Sequence, residues 1–159
     1  MRVQCNFAAV GVLVIALGGC AAGDVLLDRP PPGYVADVAA RTAAVDWTTA
    51  EAVTVELSEF EFKPGSLAFR EGVPYRLVLR NTGDSRHRFV SEGFFQAIWA
   101  HKLVSAEGEN ANPYVKTIEV PPGATKELQF VAVRTGAYPL ECTVFLHAAF
   151  GMDGRIVVR

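Results

Sequence analysis

Cys142-Thr-Val-Phe-Leu-His147-Ala-Ala-Phe-Gly-Met152 is the stretch from which this chain is read. A thiol, an imidazole and a thioether fall within eleven residues. Upstream, Tyr138, Leu140 and Cys142 share a parity, so the cysteine points the same way as two apolar residues of a strand from Ala137 to Cys142. Downstream, Gly154 to Arg159 closes as a last strand through Ile156 and Val158. The quoted run is therefore the loop between the final two strands. Gly151, just before Met152, permits a close turn there.

Strand patterning extends outward from that loop. Val53, Val55 and Leu57 share one parity, and Phe60 and Phe62 the other, which predicts a β-bulge near Ser58-Glu59. Pro64-Gly65 turns the chain into a short strand from Ser66 to Phe69. After Glu71-Gly72, Val73, Tyr75, Leu77 and Leu79 line one face of another strand. Asn81-Thr82-Gly83-Asp84 is a turn, followed by a short strand from Arg86 to Val90 that carries His87. Phe95, Trp99 and Leu103 recur at i, i+4, i+8, which predicts a helical insertion over residues 93–105. Ser91 is placed to cap its start, and Phe94, Phe95 and Trp99 are expected as core anchors. Strands resume from Tyr114 to Val120 and from Thr125 to Val133. Seven or eight short strands at this spacing predict an all-β, Greek-key β-sandwich over residues 51–159.

The beginning of the chain reads differently. Residues 1–19 have a positive Arg2, an apolar run from Phe7 to Leu17 and small residues after it, the pattern of an export signal. Leu17-Gly18-Gly19-Cys20 resembles the lipobox of bacterial lipoproteins. That resemblance implies a lipid on Cys20, a membrane anchor and a place in the bacterial cell envelope facing the periplasm. Ala21-Ala22, with no Asp behind the cysteine, favours the outer membrane. Residues 20–50, with Pro30-Pro31-Pro32-Gly33, are predicted to be a tether with a reach of roughly 30 Å. On that resemblance Cys5 leaves with the signal and Cys20 carries the lipid, which leaves Cys142 unpaired; an ordinary signal peptide cut nearby would instead leave Cys20 free. An unpaired thiol in an oxidising compartment is expected to be either buried and inert or held by a metal. The remaining chain is mildly acidic and has no Lys/Arg-rich stripe, which disfavours nucleic acid as a partner.

Two His, one Cys and a weak Met form the ligand set of a mononuclear blue-copper site. His87, at the head of a strand, supplies one imidazole; Cys142, His147 and Met152 come from the loop. Copper(I) prefers soft sulfur and copper(II) takes nitrogen readily, so this mixed set suits both states. Taken singly, Cys142 also reads as a small core thiol, His87 and His147 as surface or core histidines, and Met152 as packing. His101 has no ligand partner near it in sequence and is read as a solvated or packing residue.

Phe62-Lys-Pro64-Gly-Ser-Leu67, Leu79-Arg-Asn81-Thr-Gly83 and His87-Arg-Phe89 resemble the N-terminal half of the cupredoxins, the plastocyanin and azurin family. Val120-Pro-Pro-Gly123, Gly136-Ala-Tyr138 and Cys142 to Met152 resemble the C-terminal half, with a loop spacing closest to the rusticyanin type. The resemblance implies one copper ion cycling between copper(I) and copper(II), bound through both imidazole Nδ1 atoms, with Met152 axial. It implies a monomeric electron carrier, not an enzyme, docking transiently near His147 on cytochromes or oxidases. Storage, delivery or resistance towards copper is the alternative. Many cupredoxins follow the first ligand His with Asn or Ser, which hydrogen-bonds toward the residue after the Cys. Arg88 stands there in this chain, while Thr143 follows the cysteine.

Overall fold

Alternating burial builds most of the strands in this computed structural model, which describes residues 23–159. The expected export signal, Cys5 and the expected lipidated Cys20 lie outside the described residues. Twelve strands run through the described part: β1 (Val25–Leu27), β2 (Glu51–Ser58), β3 (Glu61–Lys63), β4 (Ser66–Phe69), β5 (Pro74–Asn81), β6 (His87–Phe89), β7 (Ile98–Ser105), β8 (Gly108–Ala111), β9 (Tyr114–Val120), β10 (Thr125–Ala132), β11 (Gly136–Glu141) and β12 (Asp153–Val158). Two short helices, α1 (Val38–Thr42) and α2 (Glu92–Gln96), interrupt them.

One layer is a six-stranded sheet in the order β3-β2-β5-β10-β7-β8. The other combines β1-β9-β6 with β11-β12-β4. An antiparallel bridge between Val90 and Glu141 joins these two halves beside Cys142. Parallel pairing of β2 with β5 and of β4 with β12 gives the Greek-key crossings. Period-2 alternation turns Tyr75, Leu77 and Leu79 of β5 inward, together with Leu67 and Phe69 of β4 and Ile156 and Val158 of β12. They meet Phe89, Ile118, Leu128, Phe130 and Leu140 in one core.

The all-β sandwich is as expected, with differences in detail. The parity switch after Leu57 is a hairpin rather than a bulge: β2 and β3 pair antiparallel across a turn at Glu59-Phe60. The helix expected over 93–105 is present but stops at Gln96, and Ile98–Ser105 is strand β7. A register shift against β10 leaves His101 unpaired, so Ala100 and Leu103 are both buried. That bulge turns Ala100 and Leu103, three residues apart, to the same inward face, a spacing that fits a helix as well. Ser91 does not cap α2; its hydroxyl donates to Pro139 O at 2.6 Å and ties α2 to β11. Phe94 and Phe95 are core anchors as expected, with the Phe94 ring 5.2 Å from Phe130 and 5.7 Å from Phe69. Trp99 is only half-buried, under the Arg41 guanidinium.

The described part of the expected tether lies against the sandwich. β1 pairs with β9, and the Asp24 carboxylate accepts from Lys126 Nζ at 2.6 Å and from Glu119 N at 2.9 Å. The Tyr34 hydroxyl donates to Val115 O at 2.7 Å. Val38 and Thr42 of α1 are buried, and the Trp47 ring stacks on His101 at 4.4 Å. Pro30-Pro31-Pro32 do prevent a helix, but the apolar and hydrogen-bonding groups on either side of them have a sheet edge to occupy. Docking there satisfies backbone groups of β9 that an edge would leave open.

Candidate metal centre

Three side chains converge at one end of the sandwich. The ligand atoms of His87, Cys142 and His147 all lie within 4.8 Å of one another, and all three residues are buried. The two Nδ1 atoms are 3.2 Å apart, and Cys142 Sγ is 3.6 Å from His147 Nδ1.

Each donor is positioned by local structure. The side chain of Asn81, buried at the end of β5, donates to Ser85 O and Val120 O, both at 2.8 Å, and accepts from Gly83 N at 2.9 Å. Those three bonds shape the loop that delivers His87 to β6. Cys142 follows β11, and its amide donates to Met152 O at 3.1 Å, closing the loop as a pseudo-hairpin. Within it, Met152 N donates to His147 O at 3.0 Å. Gly151 has φ +95°, a conformation L side chains rarely adopt, so the close turn read at that position is present. Met152 is fully buried beside the core and bonded through its backbone to both loop donors.

The sulfur of Cys142 accepts from Arg88 N at 3.3 Å. Arg88 thus supports the cysteine through its backbone, while its guanidinium turns away to pair with the buried Glu119 at 2.9 Å. Thr143 is exposed. His101 sits apart from this group, on β7 under Trp47, with its Nδ1 buried and unpaired.

Sequence reading missed Glu59 and Phe60, because a parity pattern cannot distinguish a bulge from a tight hairpin. Their turn touches both imidazoles. Glu59 Oε1 lies 3.3 Å from His87 Nε2, a close polar contact without hydrogen-bond alignment. The Phe60 ring meets His147 edge-on at 5.0 Å and Phe150 at 4.9 Å. Ser85 N donates to Glu59 at 2.7 Å and holds its carboxyl below the usual carboxylate range. Burial pushes the His87 imidazole below the ordinary histidine value, the Glu59 charge opposing and His147 adding to the shift.

The donor set fits a small transition-metal ion. Ligand distances of about 2.0–2.3 Å in a trigonal plane put donors roughly 3.5–3.8 Å apart. The observed separations of 3.2 and 3.6 Å are close to that spacing. The three donors come from β6 and the β11–β12 loop at one end of a Greek-key sandwich.

The chain has the cupredoxin fold. Solved structures of similar architecture include a multi-copper oxidase from Pseudomonas thermotolerans, with a TM-score of 0.59 at 19% identity over 72% of this chain and 31% of that one. The McoA multicopper oxidase of Aquifex aeolicus gives 0.57 at 14% identity over 72% and 30%. A copper nitrite reductase from Nitrosomonas europaea gives 0.54 at 12% identity over 75% and 52%. At these identities the likeness is one of fold. In sequence, this cupredoxin-fold chain is 29% identical over 111 residues to the copper-resistant cuproprotein CopI of Rubrivivax gelatinosus. The shared stretch covers 67% of this chain and 66% of that protein's length. No protein-family model matches the chain.

Proposed function

We propose that the chain is a mononuclear copper protein that carries single electrons between redox partners in the cell envelope. His87, Cys142 and His147 would hold the ion, with Met152 as the weak fourth ligand. Bound copper supplies a one-electron couple; the protein supplies the soft sulfur, the two imidazoles and a dry enclosure. Burial of all three donors and the hydrogen bond that Arg88 N donates to Cys142 Sγ hold the ligands in place, which suits electron exchange without rearrangement.

The observation that carries this reading is the buried donor triangle beneath an exposed apolar rim. Phe145 is 85% exposed, Phe150 63% and Leu146 49%; they flank the buried His147 along the loop, and Phe60 packs against both His147 and Phe150. A small apolar patch desolvates easily and suits brief docking of a cytochrome or oxidase over the His147 edge. With three histidines in the whole chain, two of them in this site, further copper centres of the oxidase or nitrite-reductase kind cannot be assembled. The proposed reading is therefore a carrier and not an enzyme.

The similarity to a copper-resistant cuproprotein favours a second reading, in which the chain binds copper to protect the cell or pass the ion on. Both readings place it in the cell envelope, with a lipid on Cys20 as its anchor. Since Asp24 is fixed on the sandwich, only residues 21–23 separate Cys20 from it, at most about 14 Å of extended chain. A lipid there would hold the domain close to the membrane.

Copper(II) added to the protein should give an intense thiolate-to-copper charge-transfer band that Cys142→Ser abolishes, since a hydroxyl is a poor soft ligand. A band that survives the substitution would overturn the site. Rapid electron self-exchange with slow loss of copper to a copper(I) chelator supports the carrier; slow exchange with fast loss supports copper handling.

A further inference from the structure

His87 is fully buried, and its two ring nitrogens face different neighbours. Nδ1 faces His147 Nδ1 at 3.2 Å. Nε2 has no aligned hydrogen-bond partner, and the Glu59 carboxylate lies 3.3 Å from it. The carboxylate is held by Ser85 N, which donates to the same Oε1 at 2.7 Å, and it occupies the space left by Gly83, where a Cβ would come 2.7 Å from that oxygen and closer still to Oε2. Only glycine at 83 leaves room for it. Gly83 is in turn held by Asn81 Oδ1, and Thr82 N donates to Leu57 O at 2.9 Å, clasping the β5–β6 loop to the β2–β3 turn.

We propose that Glu59 is a positioning residue for His87, fixing its proton on Nε2, leaving Nδ1 free for the metal and making that nitrogen a stronger donor. This rests on the copper reading above. A carboxylate behind a ligating imidazole sets tautomer and ring orientation and raises ligand basicity. Its negative charge also favours the more positive oxidised ion. In the copper-free protein the same tautomer leaves His87 Nδ1 as acceptor, so the 3.2 Å contact is made by a proton on His147 Nδ1.

The test compares the copper-loaded full chain with its Glu59→Gln and Glu59→Ala variants in a redox titration, with Glu61→Gln as control. Glu61 is an exposed acid two residues along on β3. Losing the Glu59 charge should weaken copper(II) binding relative to copper(I) by about tenfold or more. For one electron, a tenfold change is a rise of about 59 mV in potential. Glu61→Gln should leave the potential in place. Nitrogen NMR of wild-type His87 should show a protonated Nε2 in both forms, with Nδ1 metal-bound in the copper(I) protein and unprotonated in the copper-free one. Glu59 variants that keep copper and the wild-type potential overturn the assignment, as does an equal shift from Glu61→Gln, or a proton on His87 Nδ1 in the copper-free protein. A wild-type chain without the charge-transfer band instead sinks the copper reading, and the copper-free spectrum then decides Glu59 by itself. If the Gln variant does not fold, the Ala variant and the wild-type spectrum decide.

Discussion

Asp24→Ala measures whether the N-terminal segment belongs to the folded domain. The Asp24 carboxylate accepts from Lys126 and from Glu119 N, and its removal leaves the Lys126 ammonium facing an emptied pocket with its side chain only 10% exposed. Hydrogen bonds to a charged group contribute about 1.5–3 kcal/mol. Breaking a fully buried pair from one side costs about 3–5 kcal/mol. Lys126 is at the edge of burial and its long stem lets the ammonium reach water, which places the cost nearer about 2–3 kcal/mol. At roughly 3–4 °C per kcal/mol for a chain of this size, Tm should fall by about 6–12 °C. The assay is thermal and urea unfolding of the copper-free protein, with a double-mutant cycle against Lys126→Met. Coupling above about 1 kcal/mol is expected, because Lys126→Met removes the charge that Asp24→Ala would strand. A loss below about 0.5 kcal/mol with no coupling is the behaviour of a surface pair, and would refute the docking of this segment in solution.

Met152→Leu should keep copper and colour but raise the potential, since the weak sulfur donor is lost and local apolarity grows; the volume-conserving swap should cost under about 1.5 kcal/mol. Loss of copper or a lower potential would show that Met152 is not a simple axial donor. His101 carries a buried, unpaired Nδ1, and its pKa lies below the ordinary histidine value, chiefly through burial, with Lys102 adding and Glu109 opposing. Its contribution to stability is therefore complete above the ordinary histidine pKa of about 6.5 and is lost as pH falls below it. Urea midpoints should drop between about pH 7.5 and 5, less steeply in His101→Phe, which keeps the stack on Trp47; identical slopes would clear His101 of that role. Ala149→Glu, exposed on the rim, should slow electron self-exchange at low salt by about threefold or more, an effect that added salt should reduce, because like charges would meet in the encounter complex. An unchanged rate would place the docking surface elsewhere.

Alternation along the chain is enough to read the sandwich and its loop. Period-2 runs such as Tyr75, Leu77 and Leu79 state their inward face directly, and Tyr138, Leu140 and Cys142 aim the cysteine at the core. The donors on the β11–β12 loop were legible because a short loop keeps its ligands near one another in the chain, and Gly151 marks its turn. Contacts between distant segments are set instead by how the strands pack. Nothing local says that the turn at Glu59-Phe60 lies against His87 and His147, because those contacts join residues 28 and 87 positions apart in number. Helix and strand could not be separated over 98–105, because four-residue spacings fit both periods and the bulge at His101 adds an inward pair, Ala100 and Leu103, three apart. Residues 24–50 were equally indeterminate: a proline-broken, weakly apolar segment extends or docks according to whether a sheet edge and a buried Lys126 await it. Local chemistry sets periodicity and turns; long-range packing sets which partners those surfaces find.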